Sequence, residues 1–209
     1  MSRMLSLTVC LVTLLNGIGF ATADEIPLHV EIDRLLADDV PGPVAELADD
    51  ATFLRRLSLD LIGRIPTRGE LDSFLADSSR DKRRKAVERL IASAEHPRHL
   101  ATVFDVMLME RRGGKHIKSP EFQAWLERSL RENRSWLAIT TNILAADGTD
   151  EKQRAASAFY LERGVEPHLL TRDLGRVFFG VDLQCAQCHD HPSIDDYLQR
   201  DYHGLHAFV

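Results

Sequence analysis

Ala51-Thr52-Phe53-Leu54-Arg55-Arg56-Leu57-Ser58-Leu59-Asp60-Leu61-Ile62 is followed at once by Gly63 and then by Pro66. Phe53, Leu54, Leu57 and Leu61 fall on one stripe at helical spacing, with no strand-like alternation competing. The stretch predicts a half-buried helix over 51–62, ended by Gly63 and Pro66.

The same period extends in both directions. Leu28, Ile32, Leu35 and Leu36 predict a helix over 28–37, before Val40-Pro41-Gly42-Pro43 breaks the chain. After Pro66, Thr67-Arg68-Gly69-Glu70 has the form of a capping box and starts a short helix through Leu71, Phe74 and Leu75. Residues 79–94 predict a helix with Ala86, Val87, Leu90 and Ile91 inward and Arg83, Arg84 and Lys85 on a solvated face. Pro97 opens the next, with Leu100, Val103, Phe104, Met107 and Leu108 inward and Gly113-Gly114 closing it. His96 and His99 flank that proline and read as exposed polar residues. Ser119-Pro120 reads as an N-cap followed by proline at the first helical position. That helix turns Phe122, Trp125, Leu126 and Leu130 inward, and a second segment carries Trp136, Leu137, Ile139, Ile143 and Leu144. The polar residues 149–155 read as a mobile loop. Glu166-Pro167 opens a helix with Leu169, Leu170, Leu174, Val177 and Phe178 inside, which leads to Cys185. Residues 192–196 read as a turn, and a final helix holds Tyr202, Leu205 and Phe208. No repeat is present. The expected architecture is an all-α, non-repetitive helical domain with a CxxCH motif following a C-terminal helix.

The 209 residues are enough for one domain with a core, and 44% hydrophobic with 28% charged residues is a globular composition. A formal net charge of −6 argues against a broad phosphate-binding surface, and hence against a nucleic-acid partner. The N-terminus has the parts of a secretory signal: Arg3, an apolar stretch from Met4 to Phe20, and the small residues Ala21-Thr22-Ala23. Cleavage after Ala23 would leave residues 24–209 as one periplasmic or extracellular domain. The alternative, an uncleaved anchor, is opposed by Ser6, Thr8, Thr13, Asn16 and two glycines that dilute a barely sufficient span. No later stretch could cross a membrane, and Cys10 would leave with the signal.

Two cysteines then remain, in Cys185-Ala186-Gln187-Cys188-His189. Covalent haem attachment needs two thiols that reach two vinyl groups of one porphyrin, followed by an imidazole for the iron. Two intervening residues make nearly one helical turn and bring both sulfurs to one face. With 3 cysteines and 9 histidines, chance would produce such a run on the order of 0.002 times per chain. The reading is therefore a covalent haem c with Cys185 and Cys188 as thioethers and His189 as proximal ligand. Alternatives are a disulfide or exchangeable dithiol, or a zinc site using the cysteines with His189 or His191 and a later histidine. His191 is too close to His189 to reach the opposite face of a porphyrin. His203 and His206 are far enough along the chain to do so. Met107 is a suitable soft ligand but reads as a core residue. His189-Asp190-His191 also has the HxH form of metal hydrolases, which would need a strand end and further ligands. No catalytic constellation such as GxSxG or HExxH appears.

Phe53-Leu54-Arg55-Arg56-Leu57-Ser58-Leu59-Asp60-Leu61-Ile62-Gly63-Arg64-Ile65-Pro66-Thr67 resembles the opening signature of a planctomycete cytochrome-like domain of unknown function, the DUF1549 (PSCyt2) family. Residues 178–192, around the CxxCH run, resemble its second signature, and residues 201–208 resemble its closing segment. The resemblance spans residues 28–209 and implies haem c held by Cys185, Cys188 and His189. It implies redox protein partners or adjoining domains, and no established reaction. Where the family tends to continue after Pro192 with Phe-Asp and a tryptophan, this chain has Ser193-Ile194-Asp195-Asp196-Tyr197. The chain stops at Val209, directly after the closing segment, which leaves open a fragment or a short form. The expected function is an exported haem c domain for electron transfer or redox support of a larger system. A zinc- or disulfide-stabilised interaction domain is the alternative.

Overall fold

Ten α-helices and two short 3₁₀ turns, with no strand, make up the residues described by a computed structural model: 26–39, 42, 45–151 and 153–209. The expectation of an all-α fold is met. The signal segment over 1–23 and most of the Val40–Pro43 break lie outside the described residues. Among the described residues no helix is long and apolar enough to cross a membrane. The chain divides into two units between Leu47 and Ala48.

The first unit contributes α1 (Leu28–Asp39), which buries none of its residues and carries Arg34 paired with Glu31 and Asp38. Everything else belongs to the second unit. There α2 (Asp50–Ile62) starts at Asp49, whose carboxylate accepts from the Thr52 amide at 2.7 Å, and stops at Gly63 in the left-handed conformation. Its buried residues are Leu54, Ser58 and Ile62, while Leu61 is only half-buried. The buried stripe is thus rotated by about one residue from the expected one. The Thr67–Glu70 capping box forms as expected and opens α3 (Arg68–Ala76), which buries Phe74. α4 (Lys82–Ile91) buries Ala86 and Leu90 but leaves Ile91 exposed. Arg84 and Lys85 lie on the solvated face and pair with Asp81. Arg83 departs from that expectation: it crosses to Asp50 on α2 and lies 4.7 Å over the Phe53 ring.

α5 (Glu95–Met109) begins two residues before Pro97 and carries Ala101, Leu108 and Met109 into the core. Met107 is 45% exposed, so the core reading of that residue is wrong and Met109 takes its place. The helix ends at Glu110 and Arg111, both with positive φ, ahead of the expected Gly113-Gly114. His96 and His99 are half-buried against the end of α2, contrary to the expectation of exposure: His96 Nδ1 donates to the Leu61 carbonyl at 2.8 Å. In α6 (Ser119–Arg131) Lys118 is the flanking residue, and Ser119-Pro120 already lies inside the first turn. α7 (Trp136–Leu144) is capped by Ser135 and buries Ile139 and Ile143.

Residues 149–155 are only partly the open loop expected. The Trp125 indole donates to Gln153 at 3.2 Å, Ala155 is buried, and Arg154–Ser157 form a 3₁₀ turn leading into α8 (Ala158–Leu161). α9 (Pro167–Phe178) is capped by Glu166, and α10 (Gln199–His206) closes the fold. Phe208, expected in that helix, lies beyond its end and is 88% exposed.

The main core joins α5 through α9 around Phe122, Trp125, Leu126, Phe159 and Leu170. A smaller cluster of Leu54, Phe74 and Ala86 ties α2 to α3 and α4. Leu183, Ala186 and Tyr202 form a third, which fixes the segment containing Cys185 to α10. Each fully buried large apolar side chain contributes about 1.5–3 kcal/mol.

Candidate functional site

Cys185–Gln187 form a 3₁₀ turn, and the amides of Cys188 and His189 both donate to the Cys185 carbonyl, at 3.3 and 3.5 Å. Three residues complete one 3₁₀ turn, so residues three apart leave on one side. Cys185 and Cys188 therefore share a side, and both are exposed free thiols. Ala186 points elsewhere and is 1% exposed, packed on Leu183 and Tyr202. A bulkier residue at 186 would lift the turn from its base.

His189 is exposed, and its Nδ1 lies 2.7 Å from the Asp190 carbonyl oxygen. A carbonyl only accepts, so Nδ1 carries the proton and the neutral ring keeps its Nε2 lone pair. Asp190 anchors the segment further, since its carboxylate accepts from the Gln199 amide at 2.7 Å in the first turn of α10. His191 is held by its own amide donating to the Tyr197 carbonyl at 2.8 Å, and its Nδ1 accepts from the Ser193 amide at 3.2 Å. His189-Asp190-His191 thus folds as a staple between the turn and α10, with no strand end beside it among the described residues.

The two candidate distal histidines differ. His203 is exposed, its ring edge-on to Tyr202 at 5.3 Å. His206 is half-buried and stacks on His168 of α9, ring centroids 4.7 Å apart and 4° from parallel. Its Nδ1 lies 3.0 Å from Thr171 Oγ1, whose own proton goes to the Pro167 carbonyl at 2.8 Å. The contact is therefore His206 Nδ1–H donating, which again leaves Nε2 with its lone pair. Tyr202, 1% exposed, bonds His168 Nδ1 through its hydroxyl at 2.7 Å, and burial pushes its phenol pKa up.

Covalent haem fits this donor set: two unpaired thiols on one exposed side of a single turn, and a following imidazole with Nε2 available. An open apolar groove of about 690 Å³ adjoins the base of the turn, walled by Phe179, Val181, Leu183, Tyr197, Leu205 and Phe208. Cys185, Cys188 and His189 do not line it. Zinc fits less well, because among the described residues no three of His, Cys, Asp and Glu are grouped to hold a metal ion.

Residues 31–209 match the family described as "Protein of unknown function (DUF1549)", PSCyt2. The chain belongs to the DUF1549 family. No curated protein and no solved structure matches it.

Beside the turn this DUF1549 chain holds a buried ion-pair network that sequence reading missed. Arg163 and Asp173 have fully buried side chains and meet at 2.7 Å. Arg163 also donates to the carbonyls of Phe159 and Leu108, both at 2.9 Å, and stacks 3.8 Å over the Phe159 ring. Asp173 receives Arg112 at 3.0 Å, Arg172 at 3.0 Å and Arg176 at 3.4 Å as well, while Glu110 pairs with Arg112 and Arg176. Burial alone would raise the Asp173 pKa, but the bonds from Arg163 and then Arg172 outweigh it and hold it below the usual carboxylate range. The signal in the sequence was Asp173 itself, an acid beside Leu174 and three residues after Leu170 on the inner face of α9.

Proposed function

We propose that this domain carries one covalently attached haem c in an extracytoplasmic compartment and serves electron transfer, as a carrier or as a redox accessory of a larger system. The observation that carries the reading is the 185–187 turn, which offers both thiols on one exposed side with His189 directly after them. Cys185 and Cys188 would form the two thioethers, and His189 Nε2 would ligate the iron. Haem bound in this way supplies a one-electron couple whose potential depends on the second ligand and on burial.

The chain's own contribution is positioning. Ala186 seats the turn on Leu183 and Tyr202, the Asp190 carbonyl sets the His189 tautomer, and the Asp190 carboxylate ties the turn to α10. His203 and His206 are the candidates for the opposite face, and His206 has its Nε2 lone pair free. Residues 1–23 supply the export pattern that thioether formation requires.

The test is production in a host with haem-attachment machinery, followed by denaturing electrophoresis with haem staining and visible spectroscopy. The reading expects a stained band and a cytochrome spectrum, with His189→Ala retaining the stain but losing the wild-type Soret position. An unstained, colourless protein beside a control cytochrome that matures normally would overturn it. Zinc content and thiol titration of that product then separate a metal site from a disulfide.

A further inference from the structure

We infer that the pocket between α9 and the 185–187 turn is a carboxylate-binding site with Arg172 as its recognising cation. The pocket encloses about 330 Å³ and is lined by Arg172, His168, Gln184, Gln187 and Tyr202, with Leu169 and Glu166 at its α9 side. In a 3₁₀ turn residue 184 stacks with 187, as 185 stacks with 188, on separate sides. Gln184 and Gln187 accordingly both line this pocket, and Cys185 and Cys188 do not.

Three observations favour a carboxylate. Arg172 binds a single oxygen of Asp173, at 3.0 Å from Nε and 3.0 Å from Nη2, so Nη1 has no protein partner among the described residues. Four guanidinium groups, of Arg112, Arg163, Arg172 and Arg176, gather around only two carboxylates, Asp173 and Glu110. That local surplus of positive charge stands in a chain of net charge −6. The side-chain amides of Gln184 and Gln187 have no bonding partner among the described residues and can donate to the same anion. Glu166 carries the opposing charge, but its oxygens are committed to the amides of His168 and Leu169 at 3.1 and 2.6 Å. The guanidinium fork and the amides match the planar, two-oxygen acceptor that a carboxylate presents.

A carboxylate could arrive as a propionate of attached haem or as a free organic acid. The first source rests on the haem reading above; the second does not. Succinate is titrated calorimetrically into the full chain against a chloride control of matched ionic strength. Resonance Raman propionate bands are recorded on the haem-bearing product. Both are repeated for Arg172→Gln, for Gln187→Glu, which adds a repelling carboxylate without touching Asp173, and for Arg68→Gln as an exposed control.

Succinate binding weakened about tenfold or more in both pocket variants and unchanged in Arg68→Gln establishes a free-acid site. Propionate bands that move in the two pocket variants only, with no succinate bound, establish the haem-borne source. If succinate binds no better than chloride and the bands stay put in both variants, the inference is overturned. A colourless product counts against the haem reading alone, and the succinate titration then decides the pocket by itself.

Discussion

At Asp173 and Arg163 the fold commits two charges to a site with no solvent, and the consequence follows from desolvation. A buried charge that loses its partner costs about 3–5 kcal/mol, because the survivor stays out of water without compensation. Asp173→Asn should therefore lower stability by that order in urea denaturation, and Arg163→Leu should cost less, because Arg112, Arg172 and Arg176 still reach the Asp173 carboxylate. Equal losses would show that Arg112, Arg172 and Arg176 do not compensate the carboxylate once Arg163 is gone. Glu70 gives a second test at this scale. Its bond to Arg64 first, then the Thr67 amide, hold its pKa down to about 2. The unfolded value is about 4.3, so its contribution is complete above that pH and fades as pH falls toward about 2. The stability gap between wild type and Glu70→Gln should accordingly shrink between about pH 4 and pH 2, read from denaturation midpoints. A constant gap would mean that the capping geometry, and not the charge, matters at this position.

Among the elements, the junction of α2 with α5 depends on Gly63. Its φ is +72°, and a Cβ there would stand 2.3 Å from His99 Nδ1. Gly63→Ala should cost more than the roughly 1 kcal/mol of a left-handed alanine, since His99 must also move. A thermal melt within error of wild type would show that the contact yields freely. This junction also marks where sequence reading succeeded and failed. The capping box at Thr67, the Glu166-Pro167 helix start and the Gly63 stop were legible because each is a local device, complete within four residues. The partners of His96 and His99 were not, because they lie 35 or so residues away on α2 and no local pattern encodes them. Met107 and Met109 show the same limit. Both suit a helical face within a residue or two, and only the packing of α5 chooses between them. Asp173 was passed over because periodicity counts apolar residues and treats a charge as outward-facing.

At the scale of the whole molecule, three apolar clusters divide the work among the described residues. The largest builds the scaffold, a second attaches α2 to α4, and the third, of Leu183, Ala186 and Tyr202, seats the turn that bears the cysteines. The CxxCH run was visible as a motif, but its setting was not: the Asp190 cap, the Tyr202 floor and the stacked His168–His206 pair come from segments that meet only in the folded chain. We propose that setting as a platform for covalent haem. Covalent attachment is tested most directly by intact mass under denaturing conditions, on protein matured with haem-attachment machinery, beside the Cys185→Ser/Cys188→Ser double variant. The wild type should carry the mass of one haem through denaturation and the double variant none. A wild type of the same mass as its polypeptide, with a control cytochrome maturing normally, would contradict it.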